Sequence, residues 1–370
     1  MKTKLLLLVS LLTTSFIATS CGKKNYKEGD PLVITSIEMA DEYGESTLIQ
    51  HNGFDILVDS GSELDANHVK EVLNAKVSDK TIDLLVVTHP QGDHIGGIIN
   101  DALSDMTIKQ IVDYGYTYVT DGHDKITNNE YVQAYINKRN QFISSGAKYH
   151  GIVEQMNESK VIAISKNDDL NLRWLKNDNY FSEKDTFPNS ECKSTNPNVT
   201  SVSFVLEYKY WNLVMCGDID STYAEPSIVT NHEKLFNDKN KRILLKGTHH
   251  SSSSSMGYKF LDWTRPEIIF TSSAMIDSIC VPNEVVLGSG EGQLNHPNKS
   301  TMKRMKDRCE TIYWNGINGD ITFTTDGAND MTMSGAGRHK DYYKKGTTDI
   351  ADKEKEKSVI FFDSEFAKYY

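Results

Sequence analysis

Residues able to bind a metal ion are concentrated in the segment 88–97, which reads Thr-His-Pro-Gln-Gly-Asp-His-Ile-Gly-Gly. Three of them, His89, Asp93 and His94, carry imidazole or carboxylate groups, which are the usual zinc ligands. A single loop histidine is more often a surface residue than a ligand. Donors this close together, in a loop whose glycines allow tight turns, can instead face one point. The segment therefore predicts a metal site.

The elements around this segment indicate a layered α/β fold. The run 82–87 directly before it is mostly apolar, as is typical of a strand buried on both faces. Residues 66–75 and 130–144 carry apolar side chains at helical spacing. Short apolar runs continue to about residue 324 without an internal repeat. A chain of 370 residues with 38% hydrophobic residues allows one large domain or two ordinary ones.

Other candidate donors also follow short apolar runs. Asp59 ends the run 53–59, Asp218 follows 213–216, His249 and His250 follow 243–245, and His296 precedes a predicted helix at 300–308. Alone, Asp59 is more simply an ordinary aspartate at the turn after a strand. Because ligands commonly bind at the carboxyl ends of strands, we expect these side chains to meet at one sheet edge.

Taken in order, these segments resemble the metallo-β-lactamase superfamily. The segment from His89 is similar to its His-x-His-x-Asp-His motif, in the form found in the hydrolase domain of ComEC-type competence proteins. Later segments of that domain are similar to residues 198–206, 213–220, 244–251, 295–298 and 315–327, although Ser251 replaces a usual glycine. The resemblance spans about residues 32–327.

The resemblance implies the metallo-β-lactamase αββα four-layer sandwich, an α/β fold with two mixed β-sheets flanked by helices. It implies Zn²⁺ as the cofactor, as one or two ions, with Mn²⁺ as an alternative. The expected metal ligands are His89, Asp93, His94, Asp218, His250 and His296, the expected catalytic residues are Asp93, His249 and His250, and the expected supports of the metal loop are Asp59, Gly96 and Gly97. Which of the three later histidines binds metal and which contacts substrate stays open.

The sequence departs from the family pattern at one of the two metal positions. Gln91 stands where the family usually has His or Asp, and no histidine occurs in 198–206. A neutral amide oxygen is a poor zinc ligand beside imidazole or carboxylate. This position is therefore expected to be weak, empty or selective for a harder ion. The other position keeps Asp93, His94 and Asp218, with His296 as its expected late histidine.

The resemblance implies hydrolysis of phosphodiesters, with a small phosphoester or a locally bound nucleic acid as substrate. A zinc-class ion lowers the pKa of water and polarises a phosphoryl or carbonyl oxygen. A formal charge of −11, from 40 basic and 51 acidic residues, excludes a broad cationic surface for nucleic acid. The alternative is a non-catalytic surface lipoprotein with a degenerate metal site, for which Gln91 is the evidence. A lactam or thioester hydrolase is disfavoured, because those relatives generally keep the full histidine set.

The amino terminus has the layout of a secretory signal. Two lysines precede an apolar stretch from Leu5 to about Thr19, which then leads to Ala-Thr-Ser-Cys at 18–21, similar to a bacterial lipobox. We expect lipidation of Cys21 and anchoring to a bacterial membrane, on its periplasmic or outer surface. The predicted organisation is a signal peptide at 1–21, a tether at 22–31, the hydrolase domain at 32–327 and an appendage at 328–370. Neither a protein partner nor a disulfide pairing among the other four cysteines follows from the sequence.

Overall fold

The computed structural model describes residues 31–39, 44–116, 119–120, 126–127, 130–157, 162–163, 169–180, 196–273, 280–281, 284–285 and 296–335. The predicted signal peptide, Cys21, nearly all of the tether and most of the appendage lie outside these ranges. None of the helices in this part of the chain combines the length and the hydropathy that a membrane span requires.

The elements alternate between strands and helices along the chain. The strands are β1 (Leu32–Ser36), β2 (Thr47–His51), β3 (Phe54–Val58), β4 (Thr81–Ile82), β5 (Leu84–Val87), β6 (Thr107–Ile108), β7 (Gln110–Asp113), β8 (Val119–Thr120), β9 (Ile126–Thr127), β10 (Lys148–Gly151), β11 (Ile162–Ala163), β12 (Leu170–Trp174), β13 (Phe204–Tyr208), β14 (Trp211–Met215), β15 (Arg242–Lys246), β16 (Ile268–Thr271), β17 (Cys280–Val281), β18 (Glu284–Val285), β19 (Thr311–Trp314), β20 (Ile321–Thr325) and β21 (Thr332–Gly335). The helices are α1 (Ala66–Lys76), α2 (Gly92–Ile99), α3 (Glu130–Ser144), α4 (Ile152–Asn157), α5 (Ala224–Asn231), α6 (Tyr258–Thr264), α7 (Lys299–Lys306) and α8 (Asn315–Asn318).

Two mixed sheets contain most of these strands. The first has the order β10-β7-β5-β3-β2-β1-β20-β21, in which β10, β7, β5 and β3 are parallel and the remaining pairs are antiparallel. The second has the order β11-β12-β13-β14-β15-β16-β19, in which β14, β15, β16 and β19 are parallel. Strand β21 adds to the first sheet a segment that the sequence assigned to the appendage.

The two sheets pack face to face through an apolar core. The ring of Phe323 on β20 lies 5.3 Å from that of Phe270 on β16 and 6.0 Å from that of Tyr313 on β19, measured between centroids. Helices α1, α2 and α3 bury their apolar side chains with the first sheet. Alternate residues of the second sheet, such as Val205 and Leu245, instead pack against α5, α6 and α7. The αββα four-layer sandwich that the sequence predicted is confirmed.

Helix α2 differs from the sequence-based expectation of a loop after β5. Asp93 and His94 lie in the first turn of this helix. Three of its eight residues are glycine, which lowers helix propensity. Close packing requires two of them, because a Cβ atom on Gly96 would lie 2.5 Å from the backbone nitrogen of Glu63 and one on Gly97 would lie 2.1 Å from the carbonyl oxygen of Ser60. Tertiary packing therefore decides the local structure at the predicted metal segment.

Replacing Gly97 with alanine is expected to lower the free energy of unfolding by about 1–3 kcal/mol, because the backbone around Ser60 must move to admit the methyl group. Chemical denaturation measures this loss. The matched control is Gly92→Ala on the same helix, where the added Cβ meets only the ring edge of Tyr131 at 3.2 Å. Equal losses for the two variants would contradict the packing argument.

Candidate metal centre

The candidate ligands are carried by turns that follow strands of both sheets. His89 follows β5 of the first sheet, and Asp93 and His94 begin α2 directly after it. Asp218 follows β14 of the second sheet, and His250 lies in a short 3-10 turn, Thr248–Ser251, that follows β15. Each sheet therefore supplies about half of the candidate donors at one edge of the sandwich.

Four of these side chains form a compact cluster: Asp93, His94, Asp218 and His250 each offer one donor atom within 4.8 Å of all the others. The Nε2 atoms of His94 and His250 are 3.2 Å apart. Asp218 Oδ2 lies 3.3 Å from Nε2 of His94 and 3.1 Å from that of His250. Asp93 Oδ2 lies 3.7 Å and 3.2 Å from the same two nitrogens.

The five separations given above, from 3.1 to 3.7 Å, are close to those of a tetrahedral cation site. Ligand atoms about 2.0–2.2 Å from a shared tetrahedral centre lie about 3.3–3.6 Å from one another. In addition, neither carboxylate oxygen of the buried Asp218 takes part in a well-formed hydrogen bond. Buried carboxylates are normally paired or bound to a metal ion. The donor set therefore suits a zinc-class ion.

Both imidazole rings of the cluster are fixed by hydrogen bonds at Nδ1, the ring nitrogen on the side away from the cluster. His94 donates through Nδ1 to Asp59 Oδ2 at 2.7 Å, and His250 donates through Nδ1 to the carbonyl oxygen of Ser272 at 2.7 Å. Asp59 also accepts hydrogen bonds from the backbone nitrogen and hydroxyl of Thr88. With Nδ1 protonated, the neutral ring directs the lone pair of Nε2 into the cluster. Such outer partners fix the tautomer and orientation of metal-binding histidines.

The charges of the cluster shift the pKa of its members strongly. Burial alone lowers the pKa of His94, but the carboxylates of Asp218, Asp59 and Asp93 outweigh it and raise that pKa well above 6.5. His250 behaves similarly: burial lowers its pKa, but Asp218 and Asp93 raise it to about 9. Burial favours the neutral form of Asp218, yet these histidines hold its pKa well below 3.8. The metal-free cluster therefore binds protons where a cation would bind.

His89 and His249 lie beside the cluster, each in contact with a side-chain amide. His89 Nε2 is 3.0 Å from Gln91 Oε1, and His249 Nε2 is 3.2 Å from Asn198 Nδ2. Both Nε2 atoms lie 3.9 Å from Asp218 Oδ2. Burial and the charge of His94 lower the pKa of His89 to about 4, so its imidazole is neutral. His89 and Gln91 belong to the metal position that the sequence predicts to be weak, empty or selective for a harder ion.

His296 lies outside the four-donor cluster, although it was predicted as the late ligand. Its ring stacks on that of His250 with centroids 6.1 Å apart, and it lies edge-on to His249 at 5.4 Å. His250, which was also among the expected metal ligands, lies in the set with Asp93, His94 and Asp218. Asp59 contacts Nδ1 of His94, and Gly96 and Gly97 lie in the second half of α2, where the backbone of residues 60–63 approaches them closely.

The histidine turn has an unusual backbone. His249, His250 and Ser251 have φ values of 48°, 48° and 61°. Three consecutive residues with side chains in the left-handed region are uncommon, and each costs of order 1–3 kcal/mol. The φ of Ser251 explains why glycine is usual there. This conformation is what turns His250 towards the cluster and His249 towards Asn198.

Two residues of the site had been given no role from the sequence. Lys246, the last residue of β15, is completely buried, and it forms an ion pair with the equally buried Glu45. A lysine at the end of the apolar run 243–245 is a signal that sequence reasoning could have used, because an unpaired ammonium is rarely buried. Glu45, in a polar stretch before β2, gives no such signal.

A family model described as the metallo-beta-lactamase superfamily matches residues 40–100. This range contains Asp59 and the segment from His89 to Gly97. The match supports the metallo-beta-lactamase superfamily. It leaves the resemblance to the ComEC-type hydrolase domain as a prediction. Among curated protein sequences, none matches the chain.

Several solved structures have a similar fold. The metallo-beta-lactamase fold protein YhfI from Bacillus subtilis is 12% identical, covering 77% of this chain and 96% of that chain with a TM-score of 0.41. The short form of human tRNase Z is 10% identical, covering 76% and 91% with a TM-score of 0.35. A diphosphatase of the PhnP family is 11% identical, covering 65% and 86% with a TM-score of 0.32. Identities of 10–12% and TM-scores of 0.32–0.41 are too low to assign the fold. The fold is assigned from the strand order and register described above.

Zinc binding to the metal-free protein is expected to release protons from His94 and His250, because only the deprotonated rings can bind a cation. The apparent affinity should therefore rise between pH 6.5 and about 9, by about tenfold per pH unit for each proton released. Calorimetric titrations in buffers of different ionisation enthalpy count these protons. His250→Gln should release one proton fewer, and a pH-independent affinity would contradict the expectation.

Proposed function

We propose that this chain is a metal-dependent hydrolase that cleaves phosphodiesters at the cluster of Asp93, His94, Asp218 and His250. The observation that carries the proposal is the tetrahedral spacing of four donors supplied by turns of both sheets. A zinc-class ion at this cluster lowers the pKa of water and polarises a phosphoryl oxygen. Zn²⁺ is the ion that this mixture of imidazole and carboxylate favours, with Mn²⁺ as the alternative.

Asp93 and His249 are the residues best placed to act on the substrate. Asp93 is the most exposed of the four cluster residues, at 21% of its side chain, and its carboxylate can accept a hydrogen bond from the attacking water. His249 is 20% exposed and is held by the hydroxyl of Ser252, 2.9 Å from its Nδ1. Burial lowers the pKa of His249, which favours a neutral ring beside the phosphoryl oxygens. His250, which is buried, serves the metal instead.

The choice of phosphodiesters as the substrate class follows from the resemblance to the ComEC-type hydrolase domain. The negative charge of the chain then limits the size of the phosphodiester that can bind. A formal charge of −11 opposes the approach of a long polyanion, because neutralising many phosphates requires many exposed cations. The proposed substrate is therefore a small phosphoester or a short stretch of nucleic acid bound locally.

A non-catalytic surface-binding lipoprotein is the second candidate. Gln91 favours it, because its amide oxygen contacts His89 at a position where the family usually has a histidine or an aspartate. Against it stands the complete four-donor cluster with both of its rings held in place. A fully metallated protein that turns over no phosphodiester, ester or lactam would select this candidate.

The activity test uses the full chain purified in a mild detergent, loaded with Zn²⁺ or Mn²⁺ and assayed with bis(p-nitrophenyl) phosphate. Asp218→Ala should lower kcat/KM by more than about 100-fold, since losing a metal ligand exceeds the 10–100-fold effect of losing an outer partner. Chelation should abolish turnover. The matched control is Asp220→Ala, which removes only a carboxylate that accepts from the backbone nitrogens of Tyr223 and Ala224 and should keep most of the activity.

We also propose that the mature chain is anchored to a bacterial membrane through a diacylated Cys21. The apolar stretch that stops at this cysteine is the supporting sequence feature. The polar residues after it suit a tether between the membrane and the hydrolase domain.

Detergent phase partition of the protein produced in a bacterium tests the anchor. The wild-type chain should enter the detergent phase, whereas Cys21→Ser should stay in the aqueous phase, because it lacks the acyl chains. Cys309→Ser, which alters a buried thiol of the described domain, is the matched control and should partition like the wild type. Identical partition of the Cys21→Ser and wild-type chains would overturn the anchor.

A further inference from the structure

A completely buried ion pair lies under the four-donor cluster. It joins Lys246, at the end of β15 in the second sheet, to Glu45, which precedes β2 of the first sheet. Burial alone lowers the pKa of Lys246, but the charges of Glu45 and Asp218 outweigh it, so the side chain is an ammonium ion. Neither residue belongs to the four-donor cluster, although Glu45 forms a second group of possible metal ligands with Asp59 and His94.

Lys246 also faces Asp218, the donor that the second sheet contributes through β14. Its Nζ atom lies 3.8 Å from Asp218 Oδ1. The other oxygen, Oδ2, faces Nε2 of His94 and Nε2 of His250 at 3.3 Å and 3.1 Å. The two oxygens of one carboxylate thus face different partners, the ammonium on one side and the cluster on the other.

Glu45 is tied to the segment that carries the remaining carboxylate donor. Its backbone nitrogen donates to the carbonyl oxygen of Asp93 at 3.2 Å, and its carbonyl oxygen accepts from the nitrogen of Gly61 at 2.8 Å. The ion pair therefore connects the backbone beside Asp93 with the strand next to Asp218. These are the two halves of the chain that must meet to form the cluster.

Stabilisation of the folded state does not by itself explain why this ion pair is buried. Burying two ions carries a large desolvation cost, and apolar replacements of buried ion pairs are often neutral or stabilising. A pair of this kind is better explained by a requirement for one particular arrangement of the groups around it. Here those groups are a donor carboxylate and the backbone of a second donor.

We propose that Lys246, held by Glu45, is a positioning residue. It keeps Oδ2 of Asp218 turned into the cluster, and it keeps this donor of the second sheet aligned with Asp93 of the first sheet. This inference rests on the proposed metal site. Lys246 touches neither the substrate nor the donor nitrogens and acts only through Asp218.

The sign of the effect on metal affinity separates positioning from simple electrostatics. An ammonium close to a ligand oxygen repels a cation, so its removal from an unchanged site would strengthen zinc binding. If Lys246 positions Asp218, its removal weakens zinc binding despite the lost repulsion. Outer partners of metal ligands typically contribute 10–100-fold in affinity.

The experiment measures the zinc affinity of the full chain in mild detergent by competition with a chromophoric chelator, for wild type, Lys246→Met and the double variant Glu45→Gln/Lys246→Met. The double variant leaves no unpaired buried charge and therefore guards against loss of the fold. Thermal unfolding with chelator present checks that each variant is folded. We expect both variants to bind zinc at least about tenfold more weakly than wild type.

The matched control neutralises another buried ion pair, Arg139 with Asp113, whose further hydrogen-bond partners include Tyr135, Tyr149 and the backbone nitrogen of Gly115. Arg139→Met/Asp113→Asn should leave zinc affinity within about twofold of wild type. Wild-type affinity or tighter binding in the folded Lys246 variants would overturn the inference and leave the proposed function intact. A wild-type chain that binds no zinc would overturn the proposed function and the inference with it.

Discussion

The concentration of buried negative charge at one edge of the sandwich is the constraint on which the site depends. Asp59 and Asp218 are completely buried, and Asp93 and Glu45 are packed against the same groups. Carboxylates are removed from water only when cations or donated hydrogen bonds compensate them. The ammonium group of Lys246 balances part of this negative charge whether or not a metal ion is bound. The imidazoles of His94 and His250 compensate the rest, because they are protonated without a metal ion and can lose that proton to coordinate one.

Much of this arrangement follows from patterns that are visible along the chain. Strands β3, β5 and β14 each end where an apolar run stops. Shortly after these ends come Asp59, His89 and Asp218, respectively. Because parallel strands of one sheet end at the same edge, the pattern predicts that Asp59 and His89 converge. Asp218 follows a strand of the second sheet and joins them through the packing of the two sheets. The amphipathic spacing that predicted a helix at 130–144 reproduces the bounds of α3. These are the features that depend on periodicity and on strand termini.

Other features depend on long-range packing and could not be derived in this way. The glycines of α2 disfavour a helix locally, and the requirement for glycine at position 97 comes from the backbone of Ser60, 37 positions earlier in the chain. The choice of His250 over His296 as the fourth donor depends on left-handed φ angles at the histidine turn, which no spacing reveals. Glu45 acquires its role only because β15 of the other sheet places a lysine against it. In each case the deciding partner is remote in sequence.

The division of the donors between the two sheets has a consequence for how the centre is assembled. His94 and His250 are separated by 156 positions along the chain, so neither half of the polypeptide holds more than part of the coordination set. Closing so long a loop has an entropy cost that only the docked core can offset. A nascent or partly folded chain thus has no high-affinity centre with which to scavenge metal. At the proposed metal site, an ion would therefore be bound by donors that the folded sandwich has already brought together rather than by a flexible peptide.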